Sequence, residues 1–443
     1  MRWKQAHEAV RRDLADHIED QADAYVRGGM NDSDAAERAV KEMGDPVDVG
    51  LMMDASYRPK VEFRLLIALG LLVLTGILVR AVFYRLTAAE WLKYAGALLM
   101  GVGCFVLMLR VNFYRMLHWA WYLEFAFLLL AVIIPLLGDW LSYKRSGPGF
   151  EYSCVQFLWL LYPVIYALIV YRLRGSNLFG LLAAGALFCI PLFLRATSFS
   201  AIGLYEVDAA AACFVIIMLA VFYQCFRGSR VIAAALTMLV TAFGTLLTAV
   251  SEPYRFARLY GVLYPSNDPS GDGWLTLRIR ELLAKAVLFG QGGALSSQAQ
   301  SFVAQNDSFT SDYVMTYLIY KYGYAAAIVL LLIIGTFLVF GFLRTKRIGS
   351  ALGRLLAVGI LMIFVMQTVL YIVPCVGYPF LSSSFFPFVT DGNLVLIVDF
   401  LLAGLLASLF RTDTLFADTP PHRWKRLRIR ISMNAELTEP KPR

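Results

Sequence analysis

Apolar runs close to twenty residues long recur from about residue 63 to about residue 410. Each is long enough to cross the hydrocarbon core of a bilayer as a helix. A helix also satisfies its own backbone polar groups, which a segment in lipid must do. The pattern predicts an all-α, polytopic membrane protein. Composition agrees: 59% of residues are hydrophobic, 16% are charged, and the mean hydropathy is +0.63. A soluble chain carries about a quarter charged residues. No apolar signal segment precedes the first run, so the first span is expected to double as the insertion signal.

Ten spans can be drawn, near 63–84, 91–109, 118–137, 153–171, 176–195, 208–225, 231–250, 312–343, 352–373 and 391–410. With the N-terminus inside, the inner connections carry Arg110, Arg115, Arg172, Arg174, Arg227, Arg230, Arg344, Lys346, Arg347 and Arg354. The basic run from Arg423 to Arg430 also falls inside, and the outer loop with Lys144 and Arg145 is a mild exception among the short loops. That asymmetry predicts both termini in the cytoplasm. It also explains the net charge of +8 as topology, contact with membrane lipids rather than with nucleic acid. The six cysteines show no metal-ligand spacing and read as small core residues, and the four histidines form no triad.

The chain divides into residues 1–60, a membrane domain at 61–412 and a basic tail at 413–443. In the first unit Trp3, Val10, Leu14, Ile18, Ala22 and Tyr25 form one apolar stripe, ended by Gly28 and Gly29. A second helix is expected to start at Asn31-Asp32-Ser33, to bury Ala36, Val40 and Met43, and to stop at Gly44-Asp45-Pro46.

The connection between the seventh and eighth spans, residues 251–311, is long for a compact membrane domain. It holds Arg255 and Arg258, a Pro/Gly-rich turn from Pro265 to Gly273, an amphipathic stretch from Leu275 to Val287, and the turn Gly290-Gln291-Gly292-Gly293. Its aromatic and amphipathic content predicts a folded element lying on the outer face. Arg278, Arg280 and Lys285 are expected to meet lipid headgroups. Asp312 follows a polar run and heads an apolar helix, where partial desolvation favours a carboxylate that takes up a proton. The plainer reading is an acidic residue interacting with the helix dipole. Glu124, Lys321 and Asp399 lie within spans, where charges are costly and normally pair. A Lys321 ion pair with Asp399 or Glu124 is the expected arrangement.

Here the sequence resembles a known family. Tyr254 to Arg258, Pro265, Asp268-Pro269, Gly273-Trp274 and Leu288-Phe289-Gly290-Gln291-Gly292 resemble the large outer loop of the SEDS proteins, FtsW, RodA and SpoVE. Ser311-Asp312-Tyr313 stands where that family has Thr-Asp-Phe. Gly323 matches too, and Gln367, Gly377, Pro379 and Pro387 to Gly392 resemble the family's Q…G…P…PFISxGG segment. Leu318 to Gly323 lacks two glutamates of the family pattern, Glu151 to Cys154 is a shadow of another motif, and Gly392-Asn393 replaces a double glycine. These departures mark a divergent branch. Residues 42–46 resemble the end of a permease prefix domain.

The resemblance implies a peptidoglycan glycosyltransferase that polymerises lipid II on the outer membrane face, working with a single-pass transpeptidase, a class B penicillin-binding protein. It implies that Asp312 is the catalytic base, with Arg255, Arg258, Gly290, Gly292, Gln367, Pro387 and Thr390 at the substrate. A divalent cation beside the carboxylate fits such chemistry, although the sequence shows no dedicated metal cage. Two other readings stay open: a flippase or transporter of lipid-linked precursors, using the intramembrane charges, and a non-catalytic scaffold of cell-wall synthesis.

Overall fold

The computed structural model describes residues 7–56, 62–83, 87–111, 113–142, 150–197, 204–227, 229, 231–239, 253–271, 273–305, 312–380, 385–390 and 392–412. Trp3, Lys144, Arg145, Asp391 and the basic tail lie outside the described residues, as do the side chains of Glu151 to Cys154. Every regular element is a helix among those described. The N-terminal unit holds α1 (His7–Arg27), α2 (Asp32–Glu42) and α3 (Pro46–Ser56). The membrane part begins with α4 (Phe63–Phe83), α5 (Ala88–Met108), α6 (Phe113–His118) and α7 (Ala120–Ser142). It continues with α8 (Phe150–Arg172), α9 (Leu178–Thr197) and α10 (Leu204–Phe222), then a helical stretch at 231–239. The long connection contains α11 (Pro253–Leu263), α12 (Trp274–Lys285) and α13 (Ser297–Gln305). Last come α14 (Val314–Tyr322), α15 (Tyr324–Thr345), α16 (Ala351–Cys375) and α17 (Asn393–Thr412).

Among the described residues six helices are long and apolar enough to cross a membrane: Phe63–Phe83, Ala88–Met108, Tyr205–Phe222, Tyr324–Thr345, Ala351–Cys375 and Asn393–Thr412. Ala120–Ile133, Phe157–Arg172 and Phe179–Leu192 are shorter apolar stretches. The seventh expected span is described only over 231–239. The eighth, drawn as one helix over 312–343, is instead two helices that break at Gly323.

The N-terminal unit departs from expectation in two places. On α2 the buried face is Ala35 and Ala39, one residue off the expected stripe, and Val40 is 55% exposed. The alanines, lacking bulk, let α2 lie close on α1. The sequence Gly44-Asp45-Pro46 does not only stop α2; it also starts α3. Asp45 Oδ1 accepts the Val47 N–H at 2.8 Å, and Pro46 takes the first helical position, where its missing N–H costs nothing. Glu42 ties α2 to α1 through Tyr25 and Gln21, and pairs with Arg38 on its own helix. The Tyr25 hydroxyl and then Arg38 hold its carboxyl below the usual range.

In the membrane part α8, α10 and α16 pack on one another at the centre, with α7 on α8, α15 on α4 and α17 on α5. Small residues set the α5–α17 approach: Gly101 lies under the Phe400 ring and Gly404 against the Phe105 backbone. Pro191 inside α9 frees the Leu187 carbonyl that its missing N–H would have bound. The Tyr162 hydroxyl of α8 donates to that carbonyl at 2.7 Å, so the exposed acceptor is satisfied without water.

Candidate active site

The break at Gly323 is built by the glycine turn of the long connection. Four backbone hydrogen bonds span the two segments: Gly290 N–H to Tyr322 O, Gly292 N–H to Tyr320 O, Tyr324 N–H to Val287 O and Ala325 N–H to Leu288 O. They satisfy the last carbonyls of α14 and the first amides of α15, groups that any helix end leaves open. Gly323 has φ +92° and ψ 168°, a region that is essentially glycine-only. A Cβ there would run into the Leu288 carbonyl, and one on Gly292 would meet Lys285 O at 2.6 Å. The Tyr320 and Tyr324 hydroxyls add bonds to Gly293 O and Leu283 O. Gly290 and Gly292, expected at the substrate, thus have their amides committed to α14.

The junction closes the C-terminal end of α14, and Asp312 and Tyr313 stand at its start. The N-cap residue Tyr313 makes no side-chain cap bond. Instead the Tyr371 hydroxyl of α16 accepts the Met315 N–H at 3.2 Å, and the Thr316 hydroxyl donates to Cys375 O at 2.7 Å. Asp312 is half-buried, and Asp312 and Arg258 both lie within electrostatic reach of Tyr313. Asp312 also lies within reach of Tyr205 on α10. Arg258 on α11 donates from Nε to Pro379 O at 3.0 Å, just after α16. Arg255 is on the same helix, with its side chain outside the described residues.

Two arginines expected at lipid headgroups are held by protein. Arg280 donates to Gly377 O and Val262 O, both at 3.1 Å, and stacks 4.9 Å over the Tyr378 ring. Arg278 pairs with Glu281 at 2.9 Å and also binds Gln298. Arg280 thus joins α12 to α11 and to the segment after α16, while Arg278 joins α12 to α13.

Beside this rim runs the turn 385–390. Thr390 is buried, and its Oγ1 accepts the Phe386 N–H at 2.7 Å. Pro387 is buried as well, and Gln367 is fully buried on α16 with its amide 3.5 Å from Asp399. These three expected substrate residues support the turn from within.

The expected ion pair is absent among the described residues. Lys321 stands over the Phe83, Tyr317 and Tyr322 rings at 5.5–5.7 Å. Glu124 accepts from the Tyr162 hydroxyl at 3.3 Å, and Asp399 accepts the Phe388 N–H at 3.2 Å. Sequence reading missed Arg80, Glu206, Asp208 and Tyr371, all buried. Of these, Arg80 fell inside the drawn span 63–84, Asp208 opened the span 208–225 and Glu206 stood just before it; a charge in or beside an apolar run was their signal. Among the described residues no three His, Cys, Asp or Glu side chains are arranged to hold a metal. The described residues thus offer no ready-made cation cage.

A family model described as a cell cycle protein, FtsW/RodA/SpoVE, matches residues 186–414, just over half of the chain. A protein of Trichlorobacter lovleyi named as a probable peptidoglycan glycosyltransferase FtsW is 25% identical over 326 residues, covering 71% of this chain and 81% of that one. The rod shape determining protein RodA of Thermus thermophilus superposes with a TM-score of 0.53 at 15% identity, over 79% of this chain and 97% of that one. A chain from a peptidoglycan synthase complex, solved for how polymerization and crosslinking are coordinated, reaches 0.59 at 18% identity, over 80% and 98%. The shared fold is that of a polytopic helical membrane protein, and the protein belongs to the FtsW/RodA/SpoVE, or SEDS, family.

Proposed function

We propose that the protein is a peptidoglycan glycosyltransferase that polymerises lipid II at the outer face of the bacterial cytoplasmic membrane. The observation that carries this reading is Asp312 at the start of a short, separately capped helix, with Arg258 within reach of the same Tyr313. Asp312 takes the proton from the acceptor sugar's 4-hydroxyl. That oxygen bonds to the donor's anomeric carbon as the bond to the diphosphate breaks. The leaving undecaprenyl diphosphate carries the electron pair away, and the charge it develops is steadied by Arg258 and Arg255. Gly290, Gly292, Gln367, Pro387 and Thr390 act behind this surface by fixing backbone.

In this reading both termini lie in the cytoplasm, and residues 1–60 form a cytoplasmic prefix domain. A single-pass transpeptidase of the class B penicillin-binding protein type is the partner. The relative in a peptidoglycan synthase complex supports that pairing.

The test is polymerisation of fluorescent lipid II by the purified full chain, with the candidate transpeptidase added, beside Asp312→Asn of equal yield. Strands from wild type and a loss of at least about 100-fold in the variant are expected. Equal strands from both would remove Asp312 from the mechanism. None from either would remove the polymerase reading.

A further inference from the structure

The turn 385–390 contains one of the two non-glycine residues with a positive φ among the described residues, the other being Gln224. Phe388 has φ +62°, a left-handed conformation that a bulky side chain disfavours. Such a conformation persists only where its surroundings over-determine it. Three helices do so here. From α4, Arg80 donates Nη2 to Thr390 O at 3.0 Å, and Gly76 lets the helix lie against the Phe388 carbonyl. From α17, Asp399 Oδ2 accepts the Phe388 N–H. From α16, the Phe364 ring stacks on Phe388 at 5.8 Å. Arg80 is only 3% exposed and Asp399 is fully buried, and the Arg80 guanidinium stands 4.0 Å over the equally buried Tyr94 ring.

A buried charge in a membrane span asks for a reason. Here an acidic and a basic side chain arrive from different helices at two peptide groups of one turn: the Asp399 carboxyl accepts an N–H, and the Arg80 guanidinium donates to a carbonyl two residues later. The guanidinium charge strengthens the second of these bonds. The turn in turn reaches the catalytic helix. Phe386 packs edge-on against Tyr371 at 5.5 Å, and Tyr371 supplies the hydroxyl that accepts Met315 N–H at the start of α14. Phe385 stacks on Tyr205, which lies within electrostatic reach of Asp312.

We propose that Arg80 and Asp399 are positioning residues that clamp the strained 385–390 turn from opposite sides and, through Phe386 and Tyr371, fix the helix start that presents Asp312. The effect on turnover rests on the polymerase reading; the clamp itself does not.

The test has two readouts on the full chain in nanodiscs, using Arg80→Met, Asp399→Leu and the near-isosteric Asp399→Asn. The first is hydrogen–deuterium exchange of the peptide covering 385–390, with the middle of α16 as internal control. Arg80→Met and Asp399→Leu each raise exchange there by about tenfold, while Asp399→Asn, which keeps an acceptor for Phe388 N–H, stays near wild type. Unchanged exchange in the first two would overturn the clamp. Asp399→Asn behaving like Asp399→Leu would overturn the acceptor role. The second readout is lipid II polymerisation. Loss of about 10- to 100-fold in kcat with KM little changed is expected for Arg80→Met and Asp399→Leu, because neither residue touches substrate. Faster exchange with unchanged kcat would overturn the positioning role, and a rise confined to KM would make these residues substrate contacts. Inactive wild type would count against the polymerase reading while leaving the exchange result to decide the clamp.

Discussion

Two irregular segments flank the candidate site, and they are held by opposite means. The junction at Gly323 is fastened backbone to backbone by residues 287–292. The turn at 385–390 is fastened by buried side chains: Arg80, Asp399 and Thr390. Both face the same physical demand, since a helix end or turn leaves amides and carbonyls that must find partners. A backbone solution needs only residues small enough to let two chains meet. A side-chain solution places polar groups inside an apolar bundle, each of which must find its partner. The first should therefore be sensitive to added bulk and tolerant of changed polarity, and the second the reverse.

The largest expected effect tests the first half of that contrast. Gly323→Val forces a branched residue into a glycine-only conformation and drives its Cβ into the Leu288 carbonyl. A loss of about 3 kcal/mol or more is expected, read as a lower unfolding midpoint in detergent. A variant as stable as wild type would show that the junction relaxes freely, and the backbone account would fail. Next is Arg280→Met, which keeps the apolar stem but removes the bonds to Gly377 O and Val262 O. About 2 kcal/mol is expected from two charge-assisted bonds to half-buried carbonyls. The loss should appear first as faster proteolysis of the 251–311 connection. Thr390→Val tests the second half. It preserves shape while orphaning the Phe386 N–H, for about 1 kcal/mol. Thr390→Ser, which is smaller but still polar, should cost less than Thr390→Val. The opposite order would mean that packing, not polarity, holds the turn.

The same contrast explains what could be read from sequence. Glycines at 290, 292 and 323 were visible as a pattern, and so was the Asp312 position, because each belongs to a short local motif. That the first two serve to break the eighth span was not legible. The four bonds join residues 28 to 37 apart in sequence, and apolar periodicity runs through Gly323 without a mark. The 385–390 turn was still harder. Arg80 meets Thr390 across 310 residues, and nothing local distinguishes it from a charge flanking a span. The expected Lys321 ion pair failed for a related reason. Counting charges in spans says that each needs a partner, but not that aromatic rings, a tyrosine hydroxyl or a backbone amide will serve. In the N-terminal unit a one-residue rotation separated Ala36 and Val40 from the truly buried Ala35 and Ala39, an error the 100° step of a helix makes easy.

The smallest expected effect concerns a charged fastening outside the spans, which lies between the two extremes. Glu281 on α12 accepts the Ser296 N–H at 2.8 Å and the Ser296 hydroxyl at 3.0 Å, and pairs with Arg278. Burial pushes its carboxyl up, but the Ser296 bonds and Arg278 together outweigh that and leave it below the usual range. A carboxylate depressed in the folded state stabilises it at pH values above the unfolded value of about 4.3. That contribution is lost as pH falls through the folded pKa. Protection of the 274–305 amides, corrected for the chemical exchange rate, should thus hold from pH 7 to 5 and drop below about pH 4. In Glu281→Gln the protection should be lower at pH 7 and nearly flat across this range, since the amide can accept from Ser296 but carries no charge for Arg278. A wild-type profile as flat as the variant's would mean that the serine bonds alone hold α12 to α13. The connection would then join Gly323 as a segment fastened by neutral hydrogen bonds, leaving charge as a device confined to the buried turn.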